Sequence, residues 1–360
     1  MSIPGALNIA CVAKPGLLRR DPRKPPGWAF VQNWEHEMKL PHRRNVLQLA
    51  AGAAALPTAS RIARAQAYPT RPVRVVVSVI AGGVDDILVR LINQRLPERL
   101  GQPFVIDNLD IGTYTKAIVN AYPDGYTLGL IIAANVIRVT LDEKLNFDFT
   151  RDIAPVAGIS RNPFVMVVNP SVPAKTVPEF ITYAKANPGK LNMASSGNGS
   201  ISHLTGELFK MMTNIDMRHA PYQGPVPAVA GLLSGQAQVM FATMPPSIQH
   251  IMAGELRALA VTSATRSETL PDIPTVGDSV PGYEASGFQG LVAPRNTPAE
   301  IIDKISQEVN ASLADPKFKG GLTEFGNTVL PLSSADFGKL IHGETEKWAK
   351  VIRTANIKPQ

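Results

Sequence analysis

A chain of 360 residues with 44% hydrophobic and 18% charged side chains has a globular composition and can bury one or two cores, which excludes fibrous and disordered classes. Its net charge of +7 would suit a nucleic-acid partner, but ten of the 36 Lys and Arg and only three of the 29 acids fall in residues 1–67. Residues 68–360 keep 26 of each sign, so the body of the protein is neutral and nucleic-acid binding loses its electrostatic basis.

Met38–Ala67 reads as an export signal. Lys39, Arg43 and Arg44 form a basic start, Val46–Leu56 an apolar stretch, and Ala65-Gln66-Ala67 a small-x-small site that places cleavage after Ala67. The apolar stretch is too short to span a bilayer. Arg43-Arg44-Asn45-Val46-Leu47-Gln48 also approximates a twin-arginine signal. Residues 1–37, rich in Pro and Arg, are read as a doubtful N-terminal extension, with translation expected to begin at Met38. The single cysteine, Cys11, falls there, so the exported chain is expected to carry no thiol and no disulfide. No second apolar run approaches about 18 residues, and no integral membrane segment is expected after processing.

Val73–Val79 is a β-branched run that predicts a buried parallel strand. It runs into Ala81-Gly82-Gly83-Val84-Asp85-Asp86, after which Ile87, Leu88, Leu91, Ile92 and Leu96 recur at helical spacing. Phe104–Ile106 predicts a short strand, Thr115–Asn120 a helical start, and Tyr126–Ala133 a strand after the turn Pro123-Asp124-Gly125. Pro163–Asn169 predicts the next strand. Val177–Ala186 predicts a helix capped by Thr176, with Glu179 placed for a capping box. Leu191–Ala194 then leads through Ser195–Ser200 into a helix whose stripe is Leu204, Leu208, Met211 and Met212. A helix near Ala228–Leu233, a strand at Gln236–Phe241, a helix at Ser247–Ala253 and a strand at Leu256–Thr262 complete a second α/β set. Pro and Gly break the pattern from Leu270 to Gly290. Two helices are expected to close the chain: one capped by Thr297 with Pro298 at its first position, the other carrying Phe337, Ile341, Trp348 and Val351.

Two strand-to-helix turns rich in small residues stand out, Ala81–Asp86 and Ser195–Ser202, one in each α/β set. Ligands of open α/β sheets bind outside the carboxyl ends of strands. Two such edges facing each other would make a cleft that closes by hinge motion. The second turn is expected to present free backbone N–H groups at the positive end of a helix dipole, an anion site. Taken singly, each turn is equally a tight βα connection with a polar cap. Gly197-Asn198-Gly199-Ser200-Ile201-Ser202 lacks the third glycine of a dinucleotide fingerprint, and P-loop, zincin and nucleophile-elbow motifs are absent. His203, His219, His250 and His342 lack metal-ligand spacing. Structural roles are expected for His203 and His219, and cap or first-turn roles for Asp85 and Asp86.

The order of several motifs carries a resemblance. They are YPTRPVRVVV at Tyr68–Val77, AGGVDDIL at Ala81–Leu88, PDGYTL at Pro123–Leu128, NPSVPAKTV at Asn169–Val177 and ANPGKLNMASSGNG at Ala186–Gly199. HLTGELFK at His203–Lys210, APYQG at Ala220–Gly224, RALAVTSATRS at Arg257–Ser267, LPDIPTV at Leu270–Val276 and EKWAKVI at Glu346–Ile352 follow. Over Tyr68–Gln360 the chain resembles the periplasmic substrate-binding proteins of the tripartite tricarboxylate transporter family, the Bug proteins. The resemblance implies an α/β, type II periplasmic binding protein-like fold: two doubly wound α/β domains with a hinged cleft. Residues 68–167 plus 288–360 would form domain 1 and residues 168–287 domain 2.

It further implies a periplasmic receptor that presents a small carboxylate or amino-acid-like solute to membrane permease subunits, with no cofactor, no metal and no catalytic residue. The candidate ligand contacts are Ala81, Gly82, Gly83, Val84 and Asp85 of the first loop, with Asn108 and Asn135 beside it. Ser195, Ser196, Asn198, Gly199, Ser200, Tyr222 and Ala242 face them. Two alternatives stand beside this reading: an exported α/β enzyme acting on a small carboxylate through His203 with Asp85 or Asp86, and a ligand-sensing adaptor with a degenerate pocket.

The departures from the family pattern are specific. Asp85 stands where the family has Thr, the segment Asn108–Gly112 is shorter and carries Asp110, and Ala242 stands where Asp is common. The expectation is a less anionic or zwitterionic solute whose amino group meets Asp85 or Asp110.

Overall fold

The computed structural model of the chain describes residues 68–78, 84–142 and 147–358. The extension with Cys11, the export signal, and Ala81, Gly82 and Gly83 of the first loop lie outside the described residues, as does the side chain of Val84.

The first set of elements is β1 (Val73–Val77), α1 (Val84–Leu100), β2 (Phe104–Asn108), α2 (Ile111–Val119), β3 (Thr127–Ile132) and α3 (Ala133–Leu141). β1 lies parallel to β2 on one side and to β3 on the other. Its valines are buried on both faces: Val73, Val75 and Val77 join the core under α1, while Val76 joins Tyr114 and Ile118 of α2. Leu88, Ile92 and Leu96 of α1 are all but fully buried, and each such side chain contributes roughly 1.5–3 kcal/mol.

β4 (Ile153–Val168) is 16 residues long and serves two neighbourhoods. Its first part pairs with β9 (Ser286–Pro294), which itself pairs antiparallel with β3. Past Pro163 it pairs with β7 (Val239–Thr243) and β8 (Arg257–Val261). Parallel strands β5 (Asn192–Ser195) and β6 (Arg218–Pro221) extend the sheet beyond β7, giving the order β2-β1-β3-β9-β4-β7-β5-β6. The helices of this second set are α4 (Val177–Ala186), α5 (Ile201–Thr213), α6 (Pro225–Leu233) and α7 (Met244–Met252). The chain closes with α8 (Ala299–Leu313), α9 (Pro316–Thr323), the short β10 (Thr328–Val329) and α10 (Ser334–Thr354). α10 joins the two neighbourhoods: Phe337 and Ile341 pack in the first core, Trp348, Val351 and Ile352 in the second. No helix among the described residues is long and apolar enough to cross a membrane.

Several expectations need correction. β9 begins inside the stretch read as broken by Pro and Gly and runs past its end at Gly290, and all nine of its residues are buried. Its glycines are there for packing, since a Cβ on Gly290 would lie 2.1 Å from Phe337 Cζ and 2.6 Å from Ala157 O. The first half of β4 and the helices α3 and α9 were not expected; three helices, not two, follow β9. Thr297 does not cap α8. Its hydroxyl donates back to Pro294 O (2.7 Å), and Pro298 holds the cap position without a side-chain bond. Thr176 caps α4 as expected, its hydroxyl accepting from Glu179 N–H (3.3 Å), but no capping box closes, because the Glu179 carboxylate accepts from Lys175 N–H (2.7 Å).

Candidate ligand-binding site

The carboxyl ends of the two parallel strand groups border one cavity of about 480 Å³. One wall includes Ser78, just past β1, a face of α3 carrying Ala134, Asn135, Ile137, Arg138 and Leu141, and Asp142 just past that helix. The facing wall consists of Ser196–Ser200, between β5 and α5, and Pro221–Gln223, past β6. Lys358, beyond α10, reaches the rim, where its carbonyl accepts from Asn198 Nδ2 (3.0 Å). Of the candidate contacts, Asn135, Ser196, Asn198, Gly199, Ser200 and Tyr222 therefore share one cavity.

Asn135 is buried and held at both ends of its amide. Its Oδ1 accepts from Ile132 N–H (2.9 Å), which starts α3, and its Nδ2 donates to Ser78 Oγ (2.6 Å). That bond ties the end of β1 to the end of β3 and leaves Ser78 facing the cavity.

The Ser195–Ser200 wall is built by its own polar groups. Gly197 and Gly199 sit at φ 139° and 70°, where a side chain is disfavoured. Ser200 caps α5 by accepting from His203 N–H (3.3 Å), and its hydroxyl donates to Gly197 O (2.7 Å). Ser196 N–H donates to Ser202 Oγ (3.0 Å), Gly197 N–H to Ser195 Oγ (3.2 Å) and Gly199 N–H to His203 Nδ1 (3.1 Å). The expected cradle of free loop amides is thus corrected, because the loop spends most of its N–H groups on itself. Open donors remain in the first turn of α5, at Ile201 and Ser202, whose N–H groups no helix can satisfy internally.

Beneath this wall, His203 and His219 stack with ring centroids 3.4 Å apart and planes 5° from parallel. His219 Nε2 lies 2.6 Å from Ser195 Oγ, while His203 Nε2 faces Glu207 Oε1 (3.5 Å), which also receives Lys210 Nζ (2.9 Å). Burial, then the neighbouring His203, pushes the His219 imidazole down to about 4. Burial alone would raise the Glu207 carboxyl, but its bonds from His203 and Lys210 bring it below its ordinary value. Ser195 is fully buried and its hydroxyl also donates to Gly197 O (3.0 Å), so the Ser195–His219 pair pins a strand end. Among the described residues no three His, Cys, Asp or Glu side chains converge as a metal site.

A sequence profile of the tripartite tricarboxylate transporter family receptor matches residues 88–357. The chain belongs to that receptor family. The receptor is similar to protein BugT of Bordetella pertussis, at 32% identity over 302 residues that cover 82% of this chain and 92% of that one. It is similar to a solved R. palustris protein with adipate, at 34% identity and a TM-score of 0.67, covering 81% of this chain and 100% of the other. MatC of Rhodopseudomonas palustris with bound malate is similar at 28% identity and a TM-score of 0.63, covering 79% and 100%. The receptor thus has the two-domain α/β fold of periplasmic binding proteins, and its role is to bind a solute for a tripartite transporter.

The remaining candidates are placed elsewhere. In the receptor, Asp85 Oδ1 accepts from Gln289 Nε2 (2.5 Å), and burial pushes its carboxyl up, only partly offset by that bond. Asn108 donates to Asp86 Oδ1 (3.1 Å), which also receives Arg90. Ala242 lies inside β7 opposite Val165, in the core. Asp110 caps α2, accepting from Thr113 N–H (3.0 Å) and from the Thr113 hydroxyl, which chiefly holds its carboxyl below the usual range. Asp85 and Asp110 each accept a hydrogen bond within the fold, and neither is among the described residues that border the cavity. The enzyme alternative meets the same obstacle: His203 bonds to Gly199 and Glu207, and neither Asp85 nor Asp86 is joined to it.

Five residues with polar side chains in the cavity escaped the candidate list: Ser78, Arg138, Asp142, Gln223 and Lys358. For Arg138 a signal existed, a lone cation in the β-branched run Asn135-Val136-Ile137-Arg138-Val139. Lys358 carries no local signal, because the path of the tail past α10 brings it there.

Proposed function

We propose that the receptor captures a small carboxylate in the cavity between Asn135 and Ser196–Ser200 and releases it chemically unchanged to permease subunits of its transporter. The observation that carries this reading is the cavity itself, a polar space at the carboxyl ends of both parallel strand groups, bordered by the start of α5 and by two cations, Arg138 and Lys358. Adipate and malate in the two solved relatives make a carboxylate the chemistry of choice. Ala81–Val84 are proposed to complete the wall next to Ser78, as the family resemblance implies. Residues 68–167 plus 288–360 and residues 168–287 are proposed as the two domains, with β4 and β9 as the strands that pass between them and absorb the hinge motion. Met38–Ala67 is proposed as the export signal, cleaved after Ala67.

The test is calorimetry and thermal shift of the processed chain against adipate, malate, citrate and glutamate, with the acid recovered and analysed afterwards. At least one acid should bind, raise the melting temperature in proportion to its concentration over Kd, and return unaltered. A converted acid, or a panel with no binder at millimolar concentration, would overturn the proposal.

A further inference from the structure

Arg138 is one of several arginines without an ion pair among the described residues, and the one of them that lines the cavity. Arg74 pairs with Asp107, Arg90 with Asp86, Arg151 with Asp152 and Arg161 with Glu284, whereas Arg138 has no ion pair among the described residues. It is nonetheless a cavity residue, one helical turn beyond Asn135 on the same face of α3. Asp142, the nearest acid in sequence, also lines the cavity and is joined to Arg138 through the backbone, Asp142 N–H to Arg138 O (2.9 Å). A guanidinium bordering a concave polar space offers a planar fork of donors that fits one carboxylate with two parallel bonds. Asn135 and Arg138 are about 4.5 Å apart along the helix axis, at 1.5 Å per residue. A solute gripped near Ser78 and Asn135 therefore extends its far end toward Arg138.

We propose that Arg138 selects solutes bearing a second carboxylate, so that the receptor favours a linear diacid over the monoacid of equal length. This rests on the carboxylate reading above and adds the residue that reads the far end. Lys358, a compact charge at the rim whose backbone is tied to Asn198, supports the field without a bidentate grip.

The experiment compares succinate, glutarate and adipate, each with the monoacid of the same length, by calorimetry on the native receptor, Arg138→Gln and Arg138→Lys. The native receptor should prefer the diacids. Arg138→Gln should weaken the best diacid about 10- to 100-fold, the loss expected for a hydrogen-bonded charge pair, and should weaken the monoacid of equal length much less. Arg138→Lys should recover part of that loss. Because Arg138 is exposed, the ligand-free melting temperature of both variants should match the native one. If Arg138→Gln holds diacids as tightly as the native receptor, or loses diacid and monoacid equally, the assignment is overturned while carboxylate capture stands. If no acid of either kind binds the native receptor, capture and assignment fall together.

Discussion

The two walls of the cavity are built on opposite plans. Ser195–Ser200 closes its polar groups on one another and rests on the His203–His219 stack. The α3 wall uses Asn135 to join two strand ends but leaves Arg138 without an ion pair among the described residues. The first is a wall whose shape is set before any solute arrives; the second keeps a charge in reserve. A receptor needs both, since a preorganised surface lowers the cost of binding and an unspent group supplies discrimination. The wall that looks most like a ligand site in sequence is therefore the one with fewer groups to offer.

This contrast can be broken most severely at Gly199. Its φ of 70° and a Cβ position 2.6 Å from Leu141 Cδ1 place it where the two walls meet. Gly199→Val should destabilise the receptor by about 3 kcal/mol through backbone strain and overpacking, read by chemical denaturation. A variant as stable as the native chain would mean that the loop is not preset. Asp110→Ala should cost about 1 kcal/mol, the loss of a helix cap, with solute affinity unchanged. An affinity change for amino-acid ligands in that variant would revive the reading of Asp110 as an ammonium partner.

The third effect is expected to be the smallest, because His219 is only partly removed from water. Its pKa falls from 6.5 to about 4 on folding, so between those values the unfolded chain binds the extra proton. Stability should be fully present above pH 6.5 and decline as the pH falls toward 4. The facing groups are His203, Glu207, Lys210 and Ser195. His219→Asn should flatten the melting temperature against pH over that window; an unchanged slope would show that another group carries it.

The course of the chain was largely legible. β1, α4 and α5 announce themselves through a valine run, a Thr176 cap and a polar turn into an apolar stripe. β9 was hidden because Gly287, Gln289 and Gly290 look like breakers until Asn162 and Phe337 are seen filling the space they leave. α3 was hidden because its β-branched residues favour strands; the Asn135 bond to Ile132 N–H and a buried face decide for a helix. Six candidate contacts share the cavity because strand ends and turn residues are visible locally. Asp85, Asn108 and Ala242 went elsewhere because their neighbours come from distant segments or the strand interior.

By itself, then, the sequence determined the alternation of strands and helices, the positions of the two turns and membership of the receptor family, since each is written in local spacing or in ordered motifs. Only the tertiary structure decided which polar groups are spent. Gln289 lies 204 positions from Asp85 and Lys358 160 positions from Asn198. A side chain's charge is a property of its residue, but whether that charge is neutralised, buried or left for a solute depends on what folding brings beside it. Asp85 was claimed in this way, whereas Arg138 has no ion pair among the described residues.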